Sequence, residues 1–242
     1  MSEYNKTHLP IDVAEDRMIQ HRDYIAHCLR WSHVLKFAKI GQTILDLGAA
    51  DFPLCMAFYT NKYKPARFVG VEIRDLMLNK AKEKLARAPF PIEYIQADLC
   101  KEFQKVPKYE YDIITSFEFI EHIPGTEVEP FLLNVKERMS PETIFFLSTP
   151  AYDGKNKAEN HVKEWYYMEL RDLLQKHFII ERVYGTFMNQ SAFKEINKAN
   201  EFMLLLFEDL REYYDSNYLS TIFAPLYPEI ARNCIWRLKR GL

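Results

Sequence analysis

The sequence predicts a doubly wound α/β fold on a mainly parallel sheet of seven strands, and three observations predict it. Short apolar runs rich in Val, Ile, Leu and Phe alternate with amphipathic helical segments from residue 43 to residue 185, as strand–helix–strand units require. An acid closes each of the first three runs: Asp46, Glu72 and Asp98. Gly48 and the small Ala49 and Ala50 follow the first acid, where the backbone must turn tightly and let a ligand approach.

The elements follow in order. Residues 12–39 carry apolar side chains at helical spacing, with Val13, Met18, Ile25, Leu29 and Val34 among them, and Gly41 stops the run. "TILDLG" is the first strand and "PLCMAFYTN" a helix; "RFVGVEI" is the second strand. "RDLMLNKAKEKLAR" is an amphipathic helix with its cations toward the end, as the helix dipole favours. "IEYIQADL" and "YDIITSF" are strands three and four, "TEVEPFLLNVKERM" a helix and "TIFFLSTP" strand five. "EWYYMELRDLLQKH" is a helix and "FIIERVYG" strand six. The pattern changes after Gly185, where a long aromatic and helical stretch precedes "NCIWRLKR", which reads as an edge strand. Connections this long inside a domain are usually functional. The chain is therefore divided into an N-terminal helical cap (1–40), a core (41–185), a helical lid or substrate insertion (186–232), and a final edge strand (233–242).

Composition bounds the function. The chain has 242 residues, enough for one well-buried core, and is 48% hydrophobic and 27% charged with a net charge of -2. That balance argues against a long electrostatic footprint on nucleic acid and favours a small molecule, sugar or nucleotide, with a short nucleic-acid end as an alternative partner. Cys28, Cys55, Cys100 and Cys234 form no close pair, so a reduced, cytoplasmic setting is expected. The polar start "MSEYNKTHLPIDVAEDR" has no signal-peptide core, and no apolar stretch reaches membrane-spanning length. The aromatic insertion is also a candidate homodimer surface.

In open α/β sheets ligands bind beyond the carboxyl ends of the strands. An acid after strand two can accept hydrogen bonds from two ribose hydroxyls, and one after strand three can take the exocyclic amine of adenine. Through "ILDLGAADF", "FVGVEI", "IQADL" and "YDIITSFEFIEHIP", the stretch from about Ile40 to Gly185 resembles the class I S-adenosylmethionine-dependent methyltransferases, which have a Rossmann-like fold. The resemblance implies S-adenosyl-L-methionine as cofactor. It places contacts at Asp46, Gly48, Ala49 and Asp51, at Glu72 and Ile73, at Asp98 and Leu99, and at Phe117. Asp51 stands where the family commonly has glycine. The cofactor carries an ammonium and a sulfonium and no pyrophosphate, so carboxylates can stand in for glycine-borne amide dipoles. On the N-terminal helix, Arg30 is placed to meet the cofactor's carboxylate and Trp31 to pack on it; alternatively Trp31 fills the core. A dinucleotide oxidoreductase would need G-x-G-x-x-G after strand one, which is absent. A methyltransferase fold kept as a non-catalytic binding module is the alternative of another class.

"FEFIEHIP" supplies a second constellation. On a helical turn, Glu118, Glu121 and His122 share one face and could bind a divalent cation such as Mg²⁺ or Mn²⁺. The loop after strand five offers His161 as a fourth ligand, with Asp153 and Glu164 in reserve. E-x-x-E-H followed by S-T-P and H-x-x-E-W resembles the ubiquinone-biosynthesis O-methyltransferases and the small-RNA 2′-O-methyltransferases. The second resemblance implies a metal on Glu118, Glu121, His122 and His161 that binds and orients acceptor hydroxyls. Without a metal, His122 or His161 would act as general base; in the plainer family reading, Glu118 touches the cofactor's edge and His122 orders the loop. The expected activity is O-methylation of a hydroxylated small molecule, sugar or nucleotide, with 2′-O-methylation of an RNA end as the alternative.

Overall fold

The computed structural model describes residues 22–155 and 157–241. Helix α1 (Arg22–Phe37) precedes β1 (Thr43–Leu47), α2 (Pro53–Thr60), β2 (Arg67–Glu72), α3 (Asp75–Lys84), β3 (Ile92–Gln96) and β4 (Tyr111–Phe117). Then come α4 (Gly125–Glu137), β5 (Met139–Pro150), α5 (Tyr167–Gln175), β6 (Phe178–Met188), α6 (Gln190–Ile196), α7 (Glu201–Leu210), α8 (Ser216–Phe223) and β7 (Ala231–Arg240). The expected helix over 12–39 is present from Arg22; its first part lies outside the described residues.

The seven strands form one sheet in the order β3-β2-β1-β4-β5-β7-β6. The pairs from β3 through β5 are parallel, while β7 runs antiparallel to both β5 and β6. Strand order reverses between β1 and β4, and in open α/β sheets ligands bind outside the carboxyl ends at such a switch point. Along each central strand, successive side chains enter opposite cores. Leu45, Val69, Ile114 and Phe145 join Phe131 and Leu132 of α4 on one face. Ile44, Phe68, Ile113 and Phe146 join Val34, Phe58 and Leu78 of α1, α2 and α3 on the other. Gly70 is needed at the second face, because a Cβ there would lie 2.1 Å from the Phe52 ring.

Two expectations about the C-terminal part are corrected. The run "NCIWRLKR" is an interior strand, and β6 is the edge. Its cations are engaged by its neighbours. Arg237 Nε lies 3.1 Å from Glu181 of β6, and Lys239 and Arg240 donate at 2.6 Å to the carbonyls of Glu142 and Met139. The second correction is the insertion boundary. β6 continues past Gly185 to Met188, so the inserted segment runs from residue 189 to residue 230. A Cβ at Gly185 would sit 2.3 Å from the Ala224 carbonyl oxygen, so the insertion packs directly on the strand. The segment is broken into three short helices, and Asn189, Asn200 and Asp215 cap each start with a side-chain oxygen that accepts a backbone N–H. It buries a core of its own around Phe193, Phe207, Leu219 and Phe223, and α8 packs against α1. All four cysteines are free. Among the described residues no helix is long and apolar enough to cross a membrane.

Candidate active site

The first loop answers the question its missing glycines raise. Gly48, Ala50 and Phe52 all have positive φ, at 78°, 50° and 62°, so the turn is left-handed at three places although only one is glycine. The amides of Gly48 and Ala49 both donate to Val71 O at 2.9 Å, and Ala50 N donates to Glu72 Oε2 at 3.0 Å. The amides of Gly48, Ala49 and Ala50 are therefore spent on the end of β2, where a pyrophosphate site would aim such amides at its ligand. Glu72 is 5% exposed, and its other oxygen accepts from Arg74 N at 3.0 Å and Arg74 Nε at 2.7 Å. Asp51, expected at the cofactor, is half-buried and ion-paired with Lys84 of α3.

Asp46 is buried at the end of β1 and accepts a 2.7 Å hydrogen bond from the Thr115 hydroxyl. Burial pushes its carboxyl up to about 7; the Thr115 bond opposes this and the charge of Glu72 adds to it. With the folded value above the unfolded 3.8, the protonated acid's contribution to stability is complete below pH 4 and is lost as pH rises through 7. Asp46→Asn, always neutral, should therefore gain in thermal midpoint relative to wild type between pH 4.5 and pH 8, measured without cofactor.

Asp98 closes the row beyond β3, its Oδ1 capping Cys100 N at 3.0 Å. Asp46, Glu72 and Asp98 thus stand at the carboxyl ends of adjacent strands β1, β2 and β3. Leu99 and Ala49 are buried, Ile73 is exposed, and Phe117 is half-buried against the core face that includes Ile44. Trp31 also packs against that face and stacks on His27 at 5.7 Å. Arg30 is 2% exposed and forms a 2.9 Å ion pair with Glu118.

That pairing corrects the expected metal set. Glu118 has φ 51° and ends β4 in a left-handed residue, and the helical turn begins only at Ile120. The i, i+3, i+4 alignment with Glu121 and His122 is therefore broken. Glu118 is held by Arg30, by the Ser148 hydroxyl at 2.8 Å and by Asn233 Nδ2 at 2.9 Å.

Glu121, His122 and His161 do converge, with one ligand atom of each within 4.8 Å of the others. Glu121 is 0% exposed. Its Oε2 accepts from the Thr149 hydroxyl at 2.9 Å, while Oε1 has no hydrogen bond and lies 3.9 Å from His122 Nε2. Burial first, and then the charge of Glu118, hold the Glu121 carboxyl well above the usual carboxylate range. A buried oxygen without a donor is costly unless it is protonated or meets a cation. His122 Nδ1 donates to Asn160 O at 3.0 Å and His161 Nδ1 to Glu164 Oε1 at 2.6 Å. In neutral rings the lone pairs then sit on Nε2. Two imidazoles and one carboxylate fit a divalent transition ion, Mn²⁺ before Mg²⁺. The reserve ligands are engaged: Asp153 with Arg232 at 3.1 Å, and Glu164 with His161 and the Ala158 amide. The two loops are stitched together, since Val162 N and Lys163 N both donate to Glu121 O, at 2.7 and 3.1 Å.

Nothing in the sequence pattern marks Thr115, Thr149, Ser148 and Asn233, which the structure places at the site. The first three are hydroxyls inside apolar strand runs. Asn233 reaches Glu118 because β7 pairs beside β5.

The profile of a methyltransferase-domain family matches residues 19–206. The chain belongs to that family. The methyltransferase fold accounts for the sheet order. An S-adenosylmethionine-dependent methyltransferase from Mesorhizobium loti aligns over 91% of this chain and 100% of its own, with TM-score 0.58 and 17% identity. The small-RNA methyltransferase HEN1 aligns over 89% of this chain and 25% of its own, with TM-score 0.61 and 17% identity. A sphingolipid C9-methyltransferase of Komagataella phaffii is 26% identical over 167 residues, which are 64% of this chain and 28% of that enzyme. The methyltransferase family implies S-adenosylmethionine as the methyl donor.

Proposed function

We propose that this methyltransferase transfers a methyl group to a hydroxyl oxygen of a small molecule, sugar or nucleotide, with a divalent cation on Glu121, His122 and His161. The observation that carries the reading is the buried, unpartnered Glu121 Oε1 beside two imidazoles. A cation bound there would supply Lewis acidity, lowering the pKa of an acceptor hydroxyl. The sulfonium is already activated, so the protein's own work is alignment and proton removal. Glu72 would hold the cofactor's ribose, Asp98 its adenine edge, and Asp46 would face its cationic methionine end. Arg30 and Asn233 hold Glu118 beside the loop that carries the cluster. In a metal-free version of the same reaction, the Nε2 lone pair of His161 or His122 takes the acceptor's proton.

The sphingolipid relative favours a second reading, transfer to a lipid carbon. The exposed Phe202, Leu205, Ile222 and Leu226 on and after α7 and α8 suit an aliphatic partner. A single assay separates the two. Methyl-labelled S-adenosylmethionine is offered with a vicinal-diol compound, a nucleoside, a short RNA with a free 3′ end, or a sphingolipid, each with Mn²⁺ or with a chelator. Label on a diol or ribose oxygen that chelation abolishes is expected. Label that persists under chelation removes the cation from the mechanism, and label on sphingolipid carbon establishes the second reading.

A further inference from the structure

We infer that Glu164 is a positioning residue that fixes His161 with its proton on Nδ1, leaving Nε2 as the nitrogen that faces the cluster's chemistry. The inference rests on the proposed cation site for its purpose, though the geometry stands without it. Glu164 Oε1 lies 2.6 Å from His161 Nδ1 and accepts from Ala158 N at 3.0 Å, and the side chain is 6% exposed. A carboxylate has no proton to give, so Nδ1 must donate. The carboxylate is not reaching on a loose arm. On one side Val162 and Lys163 are tied to Glu121 O; on the other, Trp165 O accepts from Tyr152 N at 2.8 Å and the Trp165 side chain is buried. The two histidines of the cluster thus differ in kind. His122 gives its Nδ1 proton to a neutral backbone carbonyl, and His161 gives its own to a carboxylate. A carboxylate behind an imidazole sets ring orientation and raises the basicity of the opposite nitrogen.

The test is nitrogen-15 spectroscopy of the full chain with labelled histidine, metal-free and at a pH where the rings are neutral, with His161 assigned through His161→Gln. Wild type is expected to carry the His161 proton on Nδ1. Glu164→Gln should retain that tautomer through its amide oxygen, and Glu164→Ala should shift it toward Nε2–H. Mn²⁺ affinity should fall roughly 10- to 100-fold in Glu164→Ala and less in Glu164→Gln, with S-adenosylmethionine affinity unchanged in both as the check on folding. An Nε2–H tautomer in wild type, or an unchanged tautomer in Glu164→Ala, overturns the inference. If Glu164→Ala does not fold, wild type and Glu164→Gln decide it by the same criterion. The expected tautomers without Mn²⁺ binding by wild type would uphold the positioning role and remove the cation reading alone.

Discussion

Glu121→Gln is expected to abolish cation binding and to slow methyl transfer about a thousandfold while leaving the fold intact. The size follows from the several kcal/mol that a bound cation contributes to charge development, at about 1.36 kcal/mol per tenfold in rate. The fold should survive because glutamine is the neutral isostere of a carboxyl that burial already holds well above its usual range. Its amide oxygen keeps the Thr149 hydroxyl bond. A raised folded pKa gives a contribution to stability that is fully present below the ordinary carboxylate range and lost as pH rises. At pH 8 and without metal, the variant should therefore melt no lower than wild type. Initial rates at saturating S-adenosylmethionine, with thermal melts of the same samples, measure both effects. Full activity in the variant would show that the buried carboxylate plays no part in transfer.

The second large effect is on the cofactor. Glu72→Ala should weaken S-adenosylmethionine binding roughly a hundredfold, from two hydrogen bonds to a charged group at about 1.5 kcal/mol each. It should also cost about 1 to 3 kcal/mol of stability, because Ala50 N loses its acceptor. Calorimetric titration of the cofactor and a denaturant melt separate the two losses. Glu72→Gln retains an oxygen for Ala50 N and should recover most of the stability but little of the affinity. Wild-type affinity in Glu72→Ala would place the ribose elsewhere.

The fold was legible in the sequence wherever a pattern is local. The alternating runs from residue 43 to residue 185 become β1 to β6 and the helices between them, because burial on both faces of a parallel sheet demands continuous apolar segments. The acids Asp46, Glu72 and Asp98 could be read because each ends its own strand. Glu121, His122 and His161 could be read as ligand types, and they do come together. What depended on backbone sign or on distant pairing could not be read. The left-handed φ of Glu118 removes it from the cluster, and nothing in "SFEFIEH" marks that reversal. The interior position of β7 was hidden because Arg237, Lys239 and Arg240 look like solvent-facing charges until β5 and β6 supply their partners. The pairings of Asp51 with Lys84 and of Arg30 with Glu118 join residues far apart in the chain, and no local pattern marks them.

The most direct test of the central claim is a calorimetric titration of Mn²⁺ into wild type, Glu121→Gln, His161→Ala and Glu118→Gln. The proposed centre predicts a site in wild type, its loss in Glu121→Gln and His161→Ala, and its retention in Glu118→Gln. Absence of a site in wild type, or its loss on changing Glu118, would contradict the three-residue centre.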